Sequence, residues 1–210
     1  MPPKNPNFSE AYNTFIKSMN ITVDEWRDGI GFNIDALDKV TDPERDALVK
    51  ILAERLQNNP DWREIESLGA IGTPAAKEAV RSALKRGSSA TRLYAAKQLA
   101  EMNESENLEN VIIETLRKTS LYEGLTQALD MAEQHPSPRI QETLIDLALN
   151  GNEDQRIHCA ALALYLGGKA KEPFDWEHRP FFLRFGDEDR KVQIEAYKEL
   201  CRRLGVAPKV

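Results

Sequence analysis

The sequence predicts an all-α protein: an α-solenoid, or superhelix, of about five helix pairs behind an N-terminal helical cap. Two observations lead to this fold class. Turn-forming residues recur at regular intervals beyond residue 60, and each interval is about three to four helical turns long, an ordinary helix length. No interval shows the alternation of apolar and polar residues that is typical of a β-strand.

The N-terminal cap is expected over residues 8–59, which have no repeat frame. Residues 1–7 contain three prolines and predict a disordered tail ahead of it. Apolar residues spaced by three and four predict a first helix from Phe8, and Thr22 or Asp24 is expected to begin a second one.

Two further helices complete the predicted cap. A short one is expected over residues 32–40. Asp42 is predicted to be the N-cap of a longer helix with Pro43 in its first turn, because proline lacks the amide hydrogen that a helix start leaves unpaired. The sequence Asn58-Asn59-Pro60 is expected to end that helix.

Residues 60–210 are predicted to form one continuous array of two-helix repeats. The second helices follow an Arg-x-x-Ala-Ala-x-x-Leu pattern that starts at Arg92, returns at Arg156 and is looser at Arg190. Small residues at these positions let stacked helices approach closely. The frame gives repeat starts at 61, 92, 121, 156 and 190.

Two stretches carry a family resemblance. Residues 68–84 read leucine-glycine, a turn with Pro74, then a helix, and residues 89–99 supply an arginine and the paired alanines Ala95 and Ala96. This pattern resembles the HEAT-like repeats first noted in phycobilisome lyase subunits. The resemblance covers about residues 60–205 and implies the solenoid fold, which serves scaffolds, lyase subunits, inhibitors and DNA repair enzymes alike.

Composition narrows the function classes. The net charge is −6, with 28 basic against 34 acidic residues, which disfavours a general nucleic-acid binder because neutralising phosphates needs a surplus of lysine and arginine. The longest apolar stretch, 159–166, is far shorter than a membrane span, and no signal core is visible at the N-terminus, so a cytoplasmic location is expected.

Cysteine and histidine placement predicts neither a metal site nor a cofactor. The two cysteines, Cys159 and Cys201, both fall in helical patterns and are expected to be reduced and buried. None of the three histidines has a second histidine or a cysteine four residues away, as a zinc-binding helix requires. His158 is expected to be a polar position on an exposed helix face.

The candidate binding residues lie on the second helices. In HEAT-like arrays these helices line the concave surface, and the repeat frame turns Tyr94, Tyr122, His158 and Tyr165 outward, together with charged neighbours that include Lys97 and Glu101. Tyrosine is a favoured interface residue because it offers apolar area and a hydroxyl group at small entropic cost. Scattered surface tyrosines are the alternative interpretation.

The aromatic-rich segment 171–185 has two interpretations. Trp176 and Arg179 belong to residue types that are enriched at binding hot spots, which favours a recognition patch. Phe181, Phe182 and Phe185 are instead expected to close the core of the last repeat. The set Asp175-Trp176-Glu177 superficially resembles the acidic and aromatic site of HEAT-like DNA glycosylases, but the acidic charge balance disfavours that activity.

The recurring arginines Arg92, Arg156 and Arg190 are predicted to be structural rather than a phosphate-binding ladder. Each is expected to pair with a nearby acid in the neighbouring layer: Glu104, Glu106, Glu153, Asp187 or Asp189.

The function predicted from the sequence is a non-enzymatic module that binds another protein through a concave face. An immunity or inhibitor-type protein of bacteria and a general scaffold both remain open. The alternative is a HEAT-like enzyme or enzyme subunit, a DNA glycosylase or a chromophore lyase subunit.

Overall fold

A computed structural model describes residues 8–104, 108–120 and 124–209. All regular secondary structure in these ranges is helical and none of it is strand, which confirms the all-α class. The predicted tail, residues 1–7, lies outside the described residues. Within the described ranges, no helix combines the length and the apolar character needed to cross a bilayer.

The chain divides into two compact units, residues 1–106 and 107–210. The predicted division into a cap over 8–59 and an array over 60–210 stays a prediction. In the first unit the described helices are α1 (Glu10–Ser18), α2 (Val23–Arg27), a 3-10 helix (Ile34–Lys39), α3 (Asp42–Asn58), α4 (Trp62–Ile71), α5 (Pro74–Arg86) and α6 (Ser89–Glu101).

Helix boundaries in the first unit follow the capping residues of the sequence. Thr22 caps α2 and forms a capping box with Glu25. Gly72 ends α4 with φ 68°, a left-handed conformation that glycine adopts without strain. Thr73 and Pro74 then begin α5 directly.

The predicted N-cap of α3 is wrong by one residue. Thr41, not Asp42, is the N-cap. The reason is Glu44, whose Oε2 accepts the Thr41 backbone N–H at 2.8 Å, so that the helix begins where this bond can form.

An apolar cluster around α3, α4 and α5 forms much of the core of the first unit. Phe15 of α1 and Leu48 and Leu52 of α3 are completely buried, and so are Leu68 of α4 and Val80 of α5. The helix α4 packs against α3, α5 and α6, so it is the central element of this unit.

In the second unit the described helices are α7 (Leu108–Lys118), α8 (Leu125–Gln134), α9 (Pro138–Asn150), α10 (Glu153–Leu166), a 3-10 helix (Trp176–His178), α11 (Arg179–Leu183), a 3-10 helix (Arg184–Gly186) and α12 (Arg190–Leu204). Asn152 caps α10 and forms a capping box with Gln155.

Small buried residues bring the helices of the second unit together. Cys159, Ala160 and Ala161 of α10 are fully buried, and α10 packs on both α9 and α12. Phe182 and Phe185 fill the adjoining space and belong to the same core cluster. This confirms that the three phenylalanines Phe181, Phe182 and Phe185 close the core rather than form a recognition patch.

The recurring arginines are structural, but two of them do not use the predicted acids. Arg156 donates from Nε to the Phe185 carbonyl at 2.8 Å and from one terminal nitrogen to the Gly151 carbonyl at 3.0 Å. Arg190 donates to the Leu149 carbonyl at 2.7 Å. Neither has a carboxylate within 4.0 Å among the described residues.

Arg92 shares this mode of bonding, since its Nε donates to the Leu84 carbonyl at 3.1 Å. In all these cases a carbonyl in the last turn of a helix, or just beyond it, accepts the bond. Such carbonyls lack an intrahelical partner and carry the negative end of the helix dipole, so a guanidinium satisfies them.

Replacing Arg156 by alanine is expected to lower the free energy of unfolding by about 1–3 kcal/mol, because two hydrogen bonds from a charged donor are lost. Urea denaturation followed by circular dichroism measures the change. The exposed Arg202 of α12 provides the control, and Arg202→Ala is expected to stay within about 0.5 kcal/mol of the parent. Equal effects of the two substitutions would contradict a structural role for Arg156.

Candidate functional site

An open groove lies between α4 and α6 in the first unit. It has a volume of ≈ 670 Å³, large enough for a segment of several residues. We call it the α4–α6 groove. It is lined by Ile34, Trp62, Ile65, Glu66, Gly69, Ala70, Tyr94, Lys97, Gln98, Glu101 and Met102.

Two aromatic rings form the apolar part of this groove. The ring centroids of Trp62 and Tyr94 are 6.4 Å apart and the ring planes are inclined by 34°. Both side chains are half-buried, so each ring has one part packed on the protein and another part facing outward. Aromatic side chains of this kind contribute large contact areas to interfaces.

A buried arginine fixes the position of Trp62. The guanidinium of Arg63 lies 4.7 Å from the centroid of the Trp62 ring, and its side chain is only 3% exposed. Arg63 also donates from Nε to the Ile30 carbonyl at 2.6 Å and forms an ion pair with Asp61 at 3.0 Å. The aromatic wall is therefore held by its surroundings before any ligand binds.

A glycine in the last turn of α4, Gly69, shapes the floor of the groove. A Cβ atom built on Gly69 would lie 2.2 Å from a side-chain carbon of Gln98, which is closer than atoms can approach. Glycine at this position lets the Gln98 side chain of α6 lie directly across α4. This contact explains the presence of a glycine, a poor helix former, before the end of the helix.

Two of the three charged side chains that line the groove form an ion pair with each other, and the third does not. Lys97 and Glu101 form an ion pair at 3.8 Å, and Gln98 donates to Glu101 at 3.1 Å. The Glu66 carboxylate makes no hydrogen bond, and no ion pair within 4.0 Å, to any described residue. Burial raises the pKa of Glu66, with Glu101 adding to the shift, while Lys97 and Arg63 partly oppose it.

The sequence predicted one side of this groove and missed the other. Tyr94, Lys97 and Glu101 of α6 were expected to face outward, and all three line the groove. Trp62 and Glu66 of α4 were not anticipated. The repeat frame could have indicated that Glu66 faces outward. It relates position 61 to position 92, so Glu66 is at the position equivalent to Lys97.

The other predicted site residues belong to the second unit, and Tyr122 lies outside the described residues. Trp176 is 69% exposed, and the Arg179 guanidinium lies 5.0 Å from the centroid of its ring. Leu183, 48% exposed, follows on the same short helical segment. We call Trp176, Arg179 and Leu183 the Trp176 surface.

His158 and Tyr165 both lie half-buried on α10, two helical turns apart. The His158 ring is 5.5 Å from the Phe174 ring, which packs in turn on Phe182. Burial lowers the pKa of His158 although Asp154 opposes the shift. The expectation of an exposed polar position is therefore wrong for His158, because the loop that carries Phe174 covers part of its ring.

Asp175, one of the two acids of the glycosylase-like set, accepts hydrogen bonds at both carboxylate oxygens. It is buried and accepts the backbone N–H groups of Lys171 and Glu177, each at 2.9 Å. These bonds hold the pKa of Asp175 below its usual range. The arrangement gives Asp175 a structural role at the start of the 3-10 helix Trp176–His178.

Both cysteines are buried and free, as expected. Burial raises the pKa of the Cys159 thiol to about 12, so this side chain is an unreactive part of the core. In the part of the chain that the structure describes, no cluster of histidine, cysteine and acidic residues has the composition of a metal site.

No protein-family model matches the chain, and no curated protein or solved structure is significantly similar to it. The likeness of residues 68–84 and 89–99 to HEAT-like repeats therefore stays a resemblance of sequence.

Proposed function

We propose that this chain is a HEAT-like helical-repeat protein that binds another protein and has no catalytic role of its own. The observation that carries the proposal is the α4–α6 groove, an open surface with two aromatic rings and a rim of charged residues. Protein interfaces share this composition, in which aromatic side chains bind and charged ones select the partner.

The packing pattern within each unit supports a repeat architecture. In the first unit α4 contacts both α5 and α6, and in the second unit α7 contacts both α8 and α9. Contacts to the next helix and to the one after it are typical of stacked helix pairs, in which each repeat touches only its neighbours. The bonds from Arg92 and Arg156 to carbonyls near helix ends occur at equivalent positions two repeats apart in the frame.

The repeat frame assigns the groove to the binding face. Position 61 of the frame is the N-cap of α4 and position 92 lies in the first turn of α6, so the frame makes both helices second helices. Second helices line the concave face in HEAT-like arrays. The buried Arg63 keeps Trp62 in place, so binding would use rigid surface complementarity with little loss of conformational freedom.

An immunity or inhibitor-type protein and a general scaffold are the two versions of this proposal. The first binds one partner tightly and suppresses its activity, whereas the second binds without inhibition. The enzyme-class alternative is a DNA glycosylase or a chromophore lyase subunit. The glycosylase version is disfavoured because the carboxylate of Asp175, one of its two candidate acids, is bound by backbone amides.

Site-directed photo-crosslinking tests the proposal. A benzophenone amino acid placed at the exposed Glu101, on the rim of the groove, is expected to give one discrete protein adduct in lysate of the native host. The same amino acid at Glu54, exposed on α3 and outside the groove, is the matched control. The adduct is expected to disappear when Tyr94→Ala is combined with the probe at 101.

The outcomes separate the two classes of function. Adducts of equal yield from positions 101 and 54 would contradict binding through the groove. A nucleic-acid or pigment adduct in place of a protein would favour the enzyme-class alternative.

A further inference from the structure

We propose that the α4–α6 groove binds an arginine side chain in an exposed segment of the partner protein, with its guanidinium between the Glu66 carboxylate and the rings of Trp62 and Tyr94. This inference rests on the proposed function and names the partner chemistry of the same site. It follows from four features of the groove: an unpaired carboxylate, a net negative charge, two aromatic faces and enough room.

The unpaired carboxylate is the first feature. Glu66 is one helical turn beyond Trp62 on α4, so the two side chains lie on the same face of that helix. It has no hydrogen bond or ion pair to any described residue, although it is half-buried. A partly buried carboxylate without a cation is costly, and a cation from a partner would remove that cost.

The charge balance is the second feature. Lys97 and Glu101 pair with each other, so Glu66 leaves the groove lining with one net negative charge. The amino group of Lys97 acts on Glu66 only at a distance and does not cancel the effect of burial, because the pKa of Glu66 remains raised. A positively charged ligand is therefore electrostatically favoured over a neutral or acidic one.

The aromatic faces select arginine among the cations. A guanidinium is planar, stacks on aromatic rings and can donate two parallel hydrogen bonds to one carboxylate, whereas an ammonium group acts as a point charge. The Trp62 ring already contacts one guanidinium within the protein, that of Arg63 at 4.7 Å. Trp62 and Tyr94 would supply the same kind of contact on the groove side.

The size of the groove is the fourth feature. A volume of ≈ 670 Å³ exceeds the space of one arginine side chain, so the groove would also hold neighbouring residues of the partner segment. Ile34, Ile65 and Met102 in the lining would contact the apolar parts of that segment.

A titration of the full chain tests the inference with a defined probe. The indole N–H signal of Trp62 is followed by NMR in ¹⁵N-labelled protein, and Trp62→Phe assigns the signal. Nα-acetyl-arginine amide is expected to shift it in a saturable way. Nα-acetyl-citrulline amide, which has nearly the same shape but no charge, and Nα-acetyl-lysine amide are expected to bind at least about tenfold more weakly, a difference of about 1.4 kcal/mol.

Glu66→Gln removes the charge and keeps the shape of the side chain. It is expected to weaken arginine-amide binding at least about tenfold, close to the citrulline result. Because Glu66 makes no hydrogen bond to a described residue, the variant should retain its helicity, which circular dichroism checks. Glu78→Gln, on an exposed side chain of α5, is the matched control and should bind like the parent.

Equal shifts with the arginine and citrulline probes, equal affinity for arginine and lysine, or unchanged binding by Glu66→Gln would each overturn the inference. Its failure is distinguishable from that of the proposed function. If the probe at position 101 still captures one protein while arginine amide fails to bind, the groove binds protein by other chemistry.

Discussion

Replacing Phe182 by alanine is expected to lower the free energy of unfolding by about 3–5 kcal/mol, the cost of removing a large aromatic side chain from a packed core. Phe182 is fully buried. Its ring centroid lies 5.3 Å from that of Phe174, 5.8 Å from that of Phe181 and 6.1 Å from the His178 ring. A cavity at this position would therefore remove contacts on several sides. Chemical denaturation monitored by circular dichroism measures the loss.

Trp176→Ala is the matched control, since the two aromatic residues are six positions apart and differ in burial. Trp176 is 69% exposed, and its contact with Arg179 is worth about 0.5–1 kcal/mol at an exposed site. A loss of stability for Trp176→Ala as large as that for Phe182→Ala would refute the division of this segment into core and surface. A selective loss of partner binding in Trp176→Ala would assign function to the Trp176 surface.

Features set by local sequence could be predicted. The turn Gly72-Thr73-Pro74 uses a glycine with positive φ, an N-cap and a proline in the first helical turn, and each depends only on its neighbours along the chain. The N-cap of α3 could not be predicted in this way. Thr41 and Asp42 are both good capping residues, and the choice depends on Glu44, which also binds the distant Ser9.

The sequence predicted the residues that α6 contributes to the candidate site but not those that α4 contributes. The repeat frame showed which residues of α6 face outward, because helical periodicity determines that. It did not show that Gly69 lets Gln98 cross α4, or that Arg63 holds Trp62 through the carbonyl of Ile30. These are contacts between residues far apart in the chain, and they create the groove.

The arginine partners illustrate the same limit. The recurrence of Arg92, Arg156 and Arg190 correctly indicated a structural role. Acidic residues were the obvious partners in a list of sequence neighbours, but helix ends also offer carbonyl groups without hydrogen bonds. Which acceptor is used depends on where the previous helix ends in space, and composition does not show that.

Replacing Glu44 by glutamine is expected to cost about 2–3 kcal/mol at neutral pH, because a buried carboxylate joins two helix starts. Its oxygens accept the backbone N–H of Ser9 at 2.5 Å and that of Thr41 at 2.8 Å, together with both hydroxyl groups at 3.1 and 3.0 Å. Ser9 caps α1 and Thr41 caps α3. Glutamine would lose the charge and bring an amide group toward these donors.

The same hydrogen bonds make the free energy of unfolding depend on pH, and the pKa of Glu44 determines the sign of that dependence. The backbone N–H groups of Ser9 and Thr41 hold the pKa of Glu44 below its usual range, so the unfolded chain binds a proton more readily than the folded one. Their contribution is fully present above the ordinary glutamate pKa of about 4.3 and is lost as the pH falls through the lower folded value. Glu64 acts in the opposite direction, because burial raises its pKa.

Urea denaturation between neutral and acidic pH should therefore show a steeper acid loss of stability in the parent protein than in Glu44→Gln. Glu54→Gln, an exposed change on the same helix, is expected to keep the slope of the parent. If the free energy of unfolding fell equally with pH in the parent and in Glu44→Gln, the carboxylate would not hold α1 on α3. If the two free energies of unfolding became equal at low pH, the carboxylate would hold α1 on α3. Protonation of Glu44 would then cost the parent the same stability that the glutamine substitution costs at neutral pH.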